Sequence, residues 1–140
     1  MMKAVLAAAS LIPLGACQLP PTAIGGSSGA SCPIIGSTDW RAWVNAMPGP
    51  NARPTLIVMG KVTVPTGGYR LGLSLGPVQE SNPPVQRVHL NVTPPSGGAT
   101  DALVTHEVRG EFPALAQYGA VTVHCGNRPI ASISPVERAY

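Results

Sequence analysis

The chain has three histidines, His89, His106 and His124, whose side chains could bind a metal ion. Three imidazoles are a common ligand set for zinc, and these three would meet on one polar face if their strands were neighbours in a sheet. None lies in an H-x-H or H-E-x-x-H spacing, however, and histidine is common on the solvated face of a strand. The sequence therefore favours no metal site, with a three-histidine site as the minor alternative.

Ser74 lies in the string Gly72-Leu73-Ser74-Leu75-Gly76, which matches the G-x-S-x-G pattern of hydrolases. In those enzymes the nucleophilic serine sits on a strained turn between a strand and a helix. Here the string belongs to an alternating run of apolar and polar residues, and Pro77 follows it. We therefore predict a solvent-facing strand serine and no catalytic residue.

The composition argues against several other functions. The six acidic residues are dispersed, so their spacing indicates no general acid and base pair. No G-x-G-x-x-G motif is present, which argues against a nucleotide cofactor. The net charge of +3 is scattered, and aromatic residues make up only 4% of the chain, so a nucleic-acid partner is not expected. We predict a protein that is not an enzyme and carries no cofactor.

Residues 1–16 have the pattern of an export signal, with Lys3 before a short apolar run that is too short to span a bilayer. The run Leu14-Gly15-Ala16-Cys17 resembles the bacterial lipobox, which predicts lipidation of Cys17 and anchoring to a membrane. The alternative is ordinary signal cleavage, but Leu14 is bulky where that site requires a small side chain. Gln18 follows the cysteine, and resemblance to enteric lipoproteins then implies an outer-membrane location facing the periplasm.

Cys32 and Cys125 remain once Cys17 is assigned to the lipid. An even pair of cysteines in an exported chain predicts a disulfide, and two separate buried thiols are the alternative. The Gly-, Ser- and Pro-rich residues 17–31 predict a flexible tether with a typical reach of about 20 Å. Residues 32–140 are then expected to form a single β-rich domain.

Two kinds of periodicity follow Cys32. Trp40, Trp43, Val44 and Met47 recur at i, i+3, i+4 and i+7, which predicts a short helix over residues 37–47 whose tryptophans pack in the core. The alternative for this tryptophan pair is a ligand platform. From Thr55 onward the period is two, and Gly- and Pro-rich turns separate six candidate strands. We predict a mainly β fold, a small antiparallel β-sandwich or open barrel with one helix packed on it.

The most informative turn is Pro65-Thr66-Gly67-Gly68-Tyr69. Two glycines permit positive φ angles, so this segment is either a structural corner or a presented binding tip. Together with the later run Pro94-Pro95-Ser96-Gly97-Gly98, the turn resembles the PrcB-like protease-complex-stabilising C-terminal domain family, over roughly residues 56–133. The arrangement is more loosely similar to small immunoglobulin-like proteinase inhibitors.

The resemblance implies an immunoglobulin-like fold and a non-catalytic protein-binding role carried by Thr66, Gly67, Gly68 and Tyr69. Its partner would be a protease or another protein of the cell envelope. The alternative from a different class is a structural envelope lipoprotein without a partner loop. A metal-binding or enzymatic module is less favoured.

Overall fold

The computed structural model describes residues 31–98 and 101–140. Within these ranges the chain forms eight strands and no helix. The strands are β1 (Gly36–Asn45), β2 (Thr55–Val64), β3 (Arg70–Gln79), β4 (Val85–Thr93), β5 (Val104–Pro113), β6 (Ala120–Cys125), β7 (Arg128–Ile133) and β8 (Glu137–Ala139). The predicted mainly β fold is confirmed. The signal peptide and the tether predicted from the sequence lie outside the described residues.

The strands form two sheets of four, in the orders β5-β2-β1-β8 and β3-β4-β6-β7. The alternating apolar residues of both sheets belong to one buried cluster, so the sheets pack face to face. In β2 the side chains of Leu56, Val58, Val62 and Val64 are fully buried. Val88 of β4 and Val121 and Val123 of β6 face them from the second sheet and are equally buried.

Both sheets are mixed, which corrects the prediction of an antiparallel sandwich. β1 pairs with β8 in parallel, and β4 pairs with β6 in parallel, while the remaining pairs are antiparallel. A parallel pair cannot be joined by a tight hairpin. Accordingly, the chain leaves β4 to form β5 in the opposite sheet before it returns as β6 beside β4.

The helix predicted over residues 37–47 is wrong, because this segment forms strand β1. The same residues also satisfy a period of two, in which Trp40, Ala42 and Val44 share one face. Pairing with β2 along nearly the whole segment satisfies the backbone, whereas a short isolated helix is only marginally stable. Trp43 therefore lies on the outer face, where the guanidinium of Arg109 is 6.0 Å from its ring centroid.

A bulge interrupts β1 just before Trp40. The register with β2 shifts between Thr38 and Arg41, and Asp39 adopts a positive φ of 56°. The indole ring of Trp40 packs against the core cluster and directly over Gly60 of β2. The two tryptophans thus point to opposite faces of the sheet, whereas the predicted helix placed both of them on one apolar face.

The loops gather at two ends of the sandwich. At one end, which we call the glycine end, lie residues 65–69, residues 94–98 and the β6–β7 turn at 126–127. Strand β1 also begins at this end, because Gly36 lies opposite Thr63 near the end of β2. The other end, called the far end, holds residues 46–54, 80–84 and 114–119 and the terminal Tyr140.

Candidate functional site

The glycine end brings together the two turns on which the family resemblance depends. β3 and β4 are antiparallel, and Arg70 at the start of β3 lies opposite Thr93 at the end of β4. The turn before β3 and the loop after β4 are therefore neighbours. A Cβ placed on Gly68 would lie 3.0 Å from the Cβ of Pro95, so the two segments are in contact.

An open groove of about 710 Å³ lies between these segments. Small side chains and backbone dominate its lining, and Arg70 is its one charged lining residue. The lining consists of Gly67, Gly68, Arg70, Thr93, Pro94, Pro95, Ser96, Gly97 and Gly98. Such a surface offers backbone hydrogen-bonding groups and one positive charge to a ligand or partner.

The Thr66–Tyr69 turn combines a packed base with an exposed corner. Tyr69 is half-buried and packs against the core cluster, and Thr66 and Gly67 are also half-buried. The Thr66 hydroxyl donates to the carbonyl of Gly67 at 3.3 Å. Gly68 is exposed and has φ 86°, a conformation that strains any residue with a Cβ. Of the four predicted binding residues, Gly68 is therefore the one that solvent reaches most freely.

Both disulfide cysteines lie at the same end of the molecule. The Sγ atoms of Cys32 and Cys125 are 1.98 Å apart and their Cα atoms 5.3 Å apart, which fits the predicted disulfide. Cys125 closes β6 and is buried, whereas Cys32 precedes β1 and is half-buried. The bond therefore ties the beginning of the described chain to the second sheet. Cys17, the predicted lipidation site, lies outside the described residues.

Arg70, Thr93 and Pro95 line the groove but were not predicted as site residues from the sequence. Arg70 directly follows the Thr66–Tyr69 turn, and this position was the one sequence feature that could have indicated it as a site residue. The other two became site residues only through the pairing of β3 with β4.

The structure does not bring the three histidines together. His89 and His124 face each other on neighbouring strands β4 and β6, with ring centroids 6.3 Å apart. His106 lies on β5 in the other sheet, on its inner face, and its Nε2 is buried without a hydrogen-bond partner among residues 31–98 and 101–140. In the described ranges no group of three or more metal-binding side chains occurs.

The two paired histidines lie on the outer face of their sheet. Burial lowers the pKa of the His124 imidazole, and the positive charges of Arg87 and of protonated His89 lower it further. Arg87 would also repel a cation bound there. The pair is therefore poorly suited to holding a metal ion.

Ser74 lies within β3, as predicted, and its Oγ is 3.0 Å from the Nδ2 of Asn91, which donates to it. No strand-to-helix turn surrounds it. The strand continues to Gln79 through a bulge after Leu75.

A second cavity, of about 470 Å³, opens at the side of the sandwich between β1 and residues 133–139. Trp40, Trp43 and Ile133 contribute apolar surface to it, and Glu137 and Arg138 contribute opposite charges. The Trp40 Nε1 is buried and lacks a hydrogen-bond partner among the described residues. The Arg138 guanidinium already donates hydrogen bonds to the carbonyls of Leu115 and Ala116.

Comparison with protein families, with curated proteins and with solved structures gives no significant match for this chain. Among the residues described, no helix is long and apolar enough to cross a bilayer.

Proposed function

We propose that this protein is a lipid-anchored, non-catalytic module of the cell envelope that binds another protein through its glycine end. The observation that carries the proposal is the contact between Gly68 and Pro95, because it joins two turns that are separate in the sequence into one surface. The groove beside them has a volume of about 710 Å³, against about 470 Å³ for the cavity beside β1.

The proposed mode of binding is immunoglobulin-like in the sense that loops at one end of a two-sheet sandwich contact the partner. The rigid sandwich positions the turn through Tyr69, and the disulfide stabilises the same end through Cys125. The groove's exposed backbone suits an extended segment of a partner chain, whose own amide groups would pair with it. A protease or a protease-associated envelope protein is the partner that the family resemblance implies.

Lipidation of Cys17 completes the proposal. Several acyl chains hold a protein at a membrane almost permanently, whereas a single chain binds only marginally. We expect Cys17→Ser to abolish incorporation of labelled palmitate and to leave the precursor unprocessed by the lipoprotein pathway. Palmitate labelling of the variant equal to that of the wild type would contradict this assignment.

The groove is best tested by filling it without disturbing the fold. A Cβ on Gly97 would meet nothing within 4 Å, so Gly97→Trp adds bulk beside the groove at low cost to stability. Gly49→Trp in the exposed loop of the far end is the matched control, since its Cβ would make only an ordinary contact with Ala52. Both variants are checked for an unchanged melting temperature.

The readout is chemical crosslinking in intact cells, followed by quantitative mass spectrometry of the proteins crosslinked to each variant. We expect one envelope protein to be captured by the wild type and by Gly49→Trp and to be lost with Gly97→Trp. If all three proteins capture the same background, the glycine end has no partner. The structural envelope lipoprotein is then the better description.

A further inference from the structure

The described chain begins at the glycine end, on the same side of the molecule as the proposed binding groove. Cys32 is bonded to Cys125 at the end of β6, and the backbone N–H of Ile35 donates to the carbonyl of Thr63 near the end of β2. Any anchor attached upstream of residue 31 therefore joins the domain at this end.

Exposed apolar side chains flank the point where the chain enters. Ile35 is 60% exposed, and Leu103, which precedes the Val104 partner of Val64, is 65% exposed. Both therefore lie beside the end of β2. Large aliphatic side chains with this much exposure partition readily into the headgroup region of a bilayer.

The charges of this end favour an anionic surface. Arg70 lines the groove, and Arg128 follows the exposed β6–β7 turn. The loops of this end contain the acidic residue Asp101. A short way along the strands Asp39 forms an ion pair with Lys61, opposite which Glu107 lies on β5. Basic side chains next to exposed apolar ones are the combination that binds anionic lipid headgroups.

The length of the sandwich and the reach of the predicted tether together decide which end of the sandwich approaches the membrane. Strand β2 has 10 residues, so the two ends of the sandwich are about 33 Å apart. The predicted tether of residues 17–31 has a typical reach of about 20 Å. A tether of that reach brings the glycine end to the bilayer and is too short, on average, to run along the domain and bring the far end there.

From these observations we infer that the glycine end is the face of the domain that lies on the bilayer, with Ile35 and Leu103 in the interface and Arg70 and Arg128 at anionic headgroups. The inference rests on the proposed lipidation of Cys17. It also narrows the class of partner, because a protein that reaches the groove must approach along the membrane surface.

Hydrogen exchange on the intact lipidated protein tests this orientation. The protein is reconstituted in vesicles of phosphatidylethanolamine and phosphatidylglycerol and compared with the same protein in detergent micelles. We expect amides of residues 66–70, 96–98 and 126–128 to exchange about threefold or more slowly on the vesicles. Residues 49–53 and 80–82 at the far end are expected to exchange equally in both.

The matched variants are the double substitution Ile35→Asp/Leu103→Asp and the control Met47→Asp. Met47 is 61% exposed, which is close to the exposure of Ile35 and Leu103, but it lies at the far end of the sandwich. All three positions are exposed enough for the variants to fold, which a melting curve checks. We expect the double variant to lose the protection at the glycine end and the control to keep it.

Two failures are distinguishable by the mass of the purified protein. An unmodified Cys17 overturns the anchoring on which the inference rests. A lipidated protein whose glycine end exchanges as fast on vesicles as in micelles, or whose far end is the protected one, overturns the orientation alone.

Discussion

The indole ring of Trp40 lies against the α-carbon of Gly60 on the neighbouring strand, so closely that a Cβ at position 60 would overlap the ring. Gly60 is buried, and it interrupts the otherwise large apolar residues on the inner face of β2. The glycine therefore makes room for the tryptophan ring.

This contact predicts that Gly60→Ala is destabilising. The added methyl group must displace a large ring in a packed core, which costs about 1–3 kcal/mol of unfolding free energy. Urea denaturation of the two proteins measures the difference. Gly72→Ala is the control, because a Cβ there would meet nothing within 4 Å. If both variants lose the same unfolding free energy, the loss comes from replacing any strand glycine and not from the contact with Trp40.

The disulfide predicts a large loss of stability in Cys32→Ser. Its two cysteines are 93 positions apart, and the chain-entropy model assigns about 4–5 kcal/mol to a loop of this size. We expect a lower melting temperature for the variant than for the wild type under non-reducing conditions. The wild type in reductant should approach the variant. A wild type with two free thiols and the same melting curve would contradict the bond.

Gln86 is a buried polar side chain, at 2% exposure. Its Nε2 donates to the carbonyl of Gly76 at 2.9 Å, where β3 bulges, and to the carbonyl of Arg87 at 2.8 Å. Gln86→Leu would keep the volume and remove both hydrogen bonds, leaving the half-buried Gly76 carbonyl without this partner. We expect a loss of about 1–3 kcal/mol by denaturant unfolding. A variant as stable as the wild type would show that water replaces the amide.

His124 predicts a pH dependence of stability. Burial, Arg87 and His89 lower its pKa below the ordinary 6.5 in the folded protein. The unfolded chain then binds the proton more tightly, so stability is complete above about pH 6.5 and falls as the pH decreases toward the folded pKa. Melting temperatures between pH 5 and 7.5 should decrease on acidification in the wild type and less so in His124→Gln.

His89→Gln removes one of the causes of this shift and is expected to reduce the acid sensitivity only in part. If the wild type and His124→Gln lose the same stability between pH 7.5 and 5, His124 does not contribute.

Strands β2 to β7 were predictable because their information is local, whereas the three-residue β8, which depends on its parallel pairing with β1, was not predicted. Alternating apolar residues such as Val88 and Leu90, bounded by Gly- and Pro-rich turns, indicate a strand wherever the partner strand lies. The pairing of Cys32 with Cys125 was also predictable, since the assignment of Cys17 to the lipobox left two cysteines in an exported chain.

What the sequence could not determine depends on partners that are distant along the chain. Residues 36–45 fit both a helical and an alternating pattern, and pairing with β2 selects the strand. The parallel pairing of β4 with β6 separates His106 from His89 and His124. The antiparallel pairing of β3 with β4 places Gly68 against Pro95, and the pairing of β1 with β2 brings the start of β1 to the same end of the molecule. Residue order specifies each turn, whereas the pairing of strands and the packing of the two sheets decide which turns become neighbours.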